Sequence, residues 1–180
     1  MEKTTAFLRQ ALPEEVPLLT AIELEAATRF PEDILPEPMR SGHTVPGEIM
    51  AEAVEKGRLW VAAGGDDIPL GYAVWRDIEG LALLAQVDVL PAHGQRGIGR
   101  FLVRRVMEQV CETGYRFLYL TTFKNIPWNA PFYAKLGFMI VPDDDLPGPM
   151  PEIIKQERTL IQNRVAMRCD LPDSLSQKLK

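Results

Sequence analysis

Six residues, Gln95-Arg96-Gly97-Ile98-Gly99-Arg100, concentrate the chemistry of this sequence. They stand between an apolar strand-like run and an amphipathic helical one. Glycines in such a junction let the backbone come close to a ligand. The unpaired N–H groups of the first helical turn point at that ligand, and the helix dipole adds positive potential. Such a site suits a pyrophosphate, with Gln95, Arg96, Gly97, Ile98, Gly99 and Arg100 around it. It is not a Walker A loop, because no Gly-Lys-Ser/Thr follows. It is not a dinucleotide fingerprint either, because Leu102 stands where the third glycine is needed. A glycine-rich turn with no ligand is the competing reading of two glycines taken alone.

Other chemistries fall away on residue supply. Serine occurs only at 41, 174 and 176, never in Gly-x-Ser-x-Gly, so an esterase nucleophile elbow is absent. The histidines are His43 and His93 and the cysteines Cys111 and Cys169, too few for a metal site built mainly on those types, and no metal is expected. The cysteine spacing makes neither a Cys-x-x-Cys pair nor a disulfide framework, which points to a reduced, cytoplasmic setting. With 180 residues, 46% of them hydrophobic and 25% charged, the chain has the size and composition of one globular domain. Its 20 basic against 25 acidic residues, a net charge of -5, argue against a nucleic-acid partner. No apolar run approaches the ~20 residues of a membrane helix, so no membrane partner is expected. Met1-Glu2-Lys3-Thr4-Thr5 leads into no signal-peptide core.

The elements that must position the glycine loop are legible as patterns. Residues 6–10 form a strand, and 13–29 a helix with Pro13 and Pro17 in its first turn and Leu19, Ile22 and Ala26 along one face. Residues 30–46 carry four prolines and a glycine and read as a long loop. A helix over 48–56 stops at Gly57. Strands follow over 58–63, 68–77 and 81–89, the last apolar enough to be covered on both faces. The helix opened by the glycine loop ends at Gly114, with Ile98, Leu102, Val106 and Val110 as its buried stripe. A strand over 117–122, a helix over 127–136, strands over 138–141 and 165–171, an acidic loop over 143–151 and a helix over 152–162 complete the chain. This order implies an α/β (mixed α+β) fold. It is one domain over residues 1–172, with a central mixed sheet of about seven strands and helices on both faces. Residues 173–180 read as a polar C-terminal tail.

Two stretches carry a family resemblance. Val87-Asp88-Val89-Leu90-Pro91 followed by Gln95-Arg96-Gly97-Ile98-Gly99-Arg100 resembles the acyl-CoA-binding motif of the GNAT N-acetyltransferase superfamily. Pro127-Trp128-Asn129-Ala130-Pro131-Phe132-Tyr133-Ala134-Lys135-Leu136-Gly137-Phe138 is similar to its second motif, in the form of a bacterial branch. Two motifs in the right order are far more specific than either alone, and the resemblance spans about residues 6 to 171. It implies a GNAT-like fold and transfer of an acetyl group from acetyl-CoA to a primary amine by direct attack. The catalytically silent acyl-CoA-binding module is the alternative.

The resemblance also assigns roles. The strand edge at Val87, Asp88 and Val89 would pair with the pantetheine arm, and the Val89 N–H would hold the thioester oxygen. Gln95 to Arg100 would hold the pyrophosphate. Tyr133 would protonate the leaving thiolate, its other role being a core aromatic between Phe132 and Phe138. Gln86 stands where related sequences often carry Glu, which leaves the base open between Asp88, whose other role is a structural carboxylate, and a water held by backbone carbonyls. Strand alternation turns Asp88 away from the side of Val87 and Val89. Asn125 and Asn129 compete for the CoA-facing role. The acceptor would be a small-molecule or peptide amine. It would meet the loop holding Glu32, Asp33, Glu37, Arg40 and His43 and the one holding Asp143, Asp144, Asp145 and Glu152, both leaning toward a cationic amine. His93 reads as a polar turn residue, and Arg104 and Arg105 as a solvated helix face. The apolar last strand suggests a homodimer seam.

Overall fold

The computed structural model describes residues 6–35, 37–42 and 44–172. His43 and the expected tail, 173–180, lie outside them. The strands are β1 (Phe7–Gln10), β2 (Leu59–Ala63), β3 (Pro69–Ile78), β4 (Leu81–Val89), β5 (Phe117–Phe123), β6 (Met139–Ile140) and β7 (Arg164–Asp170). The helices are α1 (Val16–Ala27), α2 (Glu37–Gly42), α3 (Gly47–Glu55), α4 (Ile98–Glu112), α5 (Ala130–Ala134) and α6 (Met150–Leu160). The fold is mixed α/β: seven strands form one sheet in the order β1-β2-β3-β4-β5-β7-β6. The sheet is mixed because β4 runs parallel to β5, Leu83 facing Tyr119, while β1–β2, β2–β3, β5–β7 and β6–β7 are antiparallel.

The chain divides into two compact units. The first holds the chain up to Trp75 together with Gln86–Val106. Here proline splits the expected first helix. Pro17 has no N–H to give the Pro13 carbonyl, so Pro13–Glu15 is a separate 3-10 turn and α1 starts at Val16 with Pro17 in its first turn. Leu19, Ile22 and Ala26 are buried as their spacing requires. Arg9 fixes this entry: its guanidinium pairs with Glu15 at 2.6 Å and Asp67 at 2.6 Å, and the Glu15 carboxylate accepts the Leu12 N–H at 2.8 Å. The expected loop over 30–46 contains α2, where Pro38 falls in a first turn and so costs no hydrogen bond. Arg105, expected on a wet helix face, instead stacks over the Trp60 ring with 4.4 Å to its centroid.

The second unit holds Arg76–Ala85 and the chain from Met107 onward. Its core gathers Leu81, Leu83, Tyr119, Met150 and Ala166, flanked by Ile78, Phe117, Leu146 and Ile153. Glu79 and Gly80 both have positive φ, the conformation a two-residue hairpin turn demands between β3 and β4. α6 begins two residues before the expected start because Pro151 fits its first turn. β7 pairs with β5 along one edge and β6 along the other. Along that second edge β6 pairs only with Met167 and Arg168. Only the first half of β4, Leu81–Leu84, is buried. Its polar second half, from Gln86 to Val89, is half-buried, so the strand was expected to be more enclosed than it is.

Candidate active site

Within the first unit, the end of β4 lies unusually close to β3. A Cβ at Gly71 would stand 2.6 Å from the Asp88 carbonyl oxygen and 3.1 Å from the Val89 Cα. The Leu90 N–H donates to the Leu70 oxygen at 2.9 Å just beyond. Only glycine permits that approach, so Gly71 sets where Asp88 and Val89 lie. Gly71→Ala is expected to lower stability by about 1–3 kcal/mol through overpacking. For a chain this long that lowers Tm by roughly 3–10 °C. A calorimetric scan checks it, and an unchanged Tm would mean that β4 yields freely.

After β4 a 3-10 turn, Pro91–His93, folds the chain back, its His93 N–H donating to the Leu90 oxygen at 2.8 Å. Gln95 and Gly97 then adopt φ of 59° and 86°. The Phe101 N–H donates to the Gly97 oxygen at 3.0 Å, which makes Gly97 the cap of α4. The N–H groups of Ile98, Gly99 and Arg100 therefore have no acceptor inside the helix. A Cβ at Gly97 would meet nothing within 4 Å, so open space lies at the cap. Gln95, Arg96, Gly97 and Arg100 are exposed, while Ile98 is buried and anchors the turn. An open, donor-rich backbone of this kind fits a pyrophosphate. Beside it, His93 Nδ1 is buried without a hydrogen-bond partner.

Asp88 is half-buried on the same face of β4 as Gln86, whose Nε2 donates to Asp88 Oδ2 at 2.8 Å. Alternation thus turns its side chain away from the face of Val87 and Val89, as strand geometry predicts. Burial pushes the Asp88 carboxyl up to about 7, the Glu23 charge pushes the same way, and hydrogen bonds from Gln86 and Tyr72 oppose it. Sequence reasoning did not single out Glu23 or Tyr72. Glu23 did leave a signal: it stands four residues after Leu19 and three before Ala26, on the buried stripe of α1. A carboxylate there requires buried donors. Tyr72 left none, since an aromatic in an apolar strand is ordinary.

In the second unit, Asn129 precedes α5 and Tyr133 lies on it. Asn129 Oδ1 is buried with no hydrogen-bond partner, whereas Asn125 is exposed. An orphaned buried acceptor of this sort fits an N–H donor from a ligand. Tyr133 is half-buried, edge-on to Phe132 at 5.0 Å and to Phe138 at 5.7 Å between centroids. Cys111 and Cys169 are buried, and burial pushes the Cys169 thiol up, away from thiolate reactivity. The acidic loops are less free than their composition suggests. Asp143 pairs with Arg158, which holds its carboxyl below the usual range, and Glu32 pairs with Arg40 at 3.5 Å. Among the described residues, no cluster of three or more His, Cys, Asp or Glu side chains could hold a metal, and no helix is long and apolar enough to cross a membrane.

Residues 55–140 match the family model of the acetyltransferase (GNAT) domain. Three solved structures share the fold. N-acetylglutamate synthase from Neisseria gonorrhoeae, complexed with coenzyme A and N-acetyl-glutamate, is 16% identical with a TM-score of 0.73. That match covers 95% of this chain and 36% of the other. The PaiA N-acetyltransferase from Thermoplasma acidophilum, in complex with coenzyme A, is 16% identical with a TM-score of 0.65 over 92% of this chain and 99% of the other. The ribosomal-protein-S18-alanine N-acetyltransferase from Escherichia coli is 16% identical with a TM-score of 0.64 over 93% of this chain and 94% of the other.

Proposed function

We propose, from the premise that this chain is a member of the GNAT acetyltransferase family, that it moves an acetyl group from acetyl-CoA to a primary amine by direct attack. The acetyltransferase class rests on the family match over residues 55–140. The reading of the site is carried by one observation: the open Gly97 cap, where α4 presents its free N–H groups inside that matched segment. In this reading Gln95, Arg96, Gly97, Ile98, Gly99 and Arg100 hold the pyrophosphate. Val87, Asp88 and Val89 offer a strand edge to the pantetheine arm, and Asn129 accepts one of its N–H groups.

The chemistry then needs three groups. The Val89 N–H stabilises the oxygen that becomes negative as the amine nitrogen bonds to the thioester carbon. Asp88 takes the proton that the attacking nitrogen loses. As the carbon–sulfur bond breaks, Tyr133 gives its proton to the thiolate. A silent module would follow if Gln86, standing in place of an acid, left the site without a carboxylate. Asp88, held by Gln86 at 2.8 Å, supplies the carboxylate from two residues further on. The acceptor is a small-molecule or peptide amine. The proposal extends to a cytoplasmic setting and to a homodimer with β7 at its seam.

A thermal-shift titration tests the binding half. Saturating acetyl-CoA is expected to raise Tm by mass action, about 2.7 kcal/mol of added stability at a hundred times Kd. NAD is expected to give no shift; the reverse pattern would contradict the reading.

A further inference from the structure

Glu23 and Tyr72 belong to neither sequence motif, yet both are buried, at 6% and 0% exposure. A carboxylate so enclosed must find donors. Glu23 has two: the Val45 N–H, 3.1 Å from each oxygen, and the Tyr72 hydroxyl, 3.0 Å from Oε2. The same hydroxyl faces the Asp88 carboxyl, whose Oδ2 accepts from Gln86 Nε2 at 2.8 Å. A carboxyl–phenol–carboxyl chain thus runs from α1 through β3 to β4, wholly inside the first unit.

A phenol has one proton to donate. Given to Glu23, it leaves only an oxygen lone pair toward Asp88. An ionised Asp88 then faces that lone pair with the Glu23 charge behind it. A protonated Asp88 donates to the phenol oxygen and completes the chain. The chain therefore has a defined direction, Asp88 to Tyr72 to Glu23, and its completeness depends on one proton at Asp88.

We propose that Glu23, acting through Tyr72, is a positioning residue that orients Asp88 and governs whether it carries a proton. The inference rests on the reading of Asp88 as the base for the amine. The groups that face Asp88 are Glu23 from α1, Tyr72 from β3 and Gln86 on its own strand. Of these, Glu23 disfavours the ionised form by its charge and Gln86 favours it by hydrogen bonding, whereas Tyr72 favours it only by turning its one proton from Glu23 to Asp88. The Val45 N–H gives Glu23 a second task, because it ties the segment before α3 to the same carboxylate.

The sign follows from charge. Glu23→Gln keeps the shape and an acceptor oxygen but removes the negative charge, so Asp88 should ionise at lower pH. Carboxyl 13C NMR reads this directly, with the Asp88 resonance assigned from its loss in Asp88→Asn. The Asp88 midpoint is expected near pH 7 in the parent and at lower pH in Glu23→Gln, and the acid limb of kcat/KM moves with it. The parent alone gives a second readout: a 13C label at the Tyr72 Cζ is expected to shift in step with Asp88. An Asp88 midpoint unmoved by Glu23→Gln, or a Tyr72 signal silent through that transition, overturns the proposal. Turnover by Asp88→Asn separates the two claims. If the NMR coupling is present but Asp88→Asn acetylates as fast as the parent, the reading of Asp88 as base fails and the coupling stands.

Discussion

Tyr133→Phe is expected to lower kcat about 100-fold while acetyl-CoA affinity and Tm stay close to the parent's. The substitution removes one hydroxyl and keeps the ring, so the edge contacts to Phe132 and Phe138 survive. A proton given to the departing thiolate is an interaction made in the transition state. Its loss lowers kcat and kcat/KM together and spares ground-state binding. General acid catalysis typically contributes about 10²–10⁴-fold, and thiolates leave well enough unaided to place this case at the lower end. A packing role predicts the opposite pattern, a lower Tm with near-normal turnover. Turnover within threefold of the parent on a verified acceptor would remove Tyr133 from the catalytic groups.

Gly97→Asp is expected to weaken acetyl-CoA binding by roughly 10- to 1,000-fold, through two effects that can be separated. The first is conformational: at φ of 86° any side chain is strained, which costs about 1–2 kcal/mol of stability. The second is electrostatic: a carboxylate beside the pyrophosphate repels it by about 1–4 kcal/mol at 4 Å, depending on solvent screening. Gly97→Ala carries the strain without the charge. Gly99→Asp carries the charge at a helical position of α4, where φ is not positive. Calorimetric titration is expected to show strong weakening in both aspartate variants and a smaller change in Gly97→Ala. Unweakened binding in both aspartate variants would mean that the phosphates lie elsewhere.

What could be read from the sequence, and what could not, divides by the range of the interactions. The glycine loop is local: a strand end, a turn and a helix N-terminus follow from consecutive residues, and the structure places the cap at Gly97. The stripe of α4 is equally local, with Leu102, Val106 and Val110 fully buried. The packing of Tyr133 between Phe132 and Phe138 was legible for the same reason. Strand order was not. That β7 inserts between β5 and β6 depends on pairings made across the chain. The tie between Glu23 and Tyr72 spans 49 residues, and no pattern within α1 or β3 names the partner. The close approach at Gly71 was also invisible, since a glycine inside a strand pattern does not say which backbone presses against it. The position of α1 was half legible: both prolines pointed to a first turn, but a missing donor at Pro17 made two turns of one expected helix.

Acetyl transfer to an amine is decided by free-thiol release from acetyl-CoA over a panel of amines, with each product weighed by mass spectrometry. Thiol release is expected to depend on a primary amine and to be largest for cationic acceptors, with one acetyl group gained by the amine per thiol freed. Acetyl-CoA bound to the protein with no acceptor-dependent thiol release, across small amines, amino acids, aminoglycosides and peptides, would contradict it.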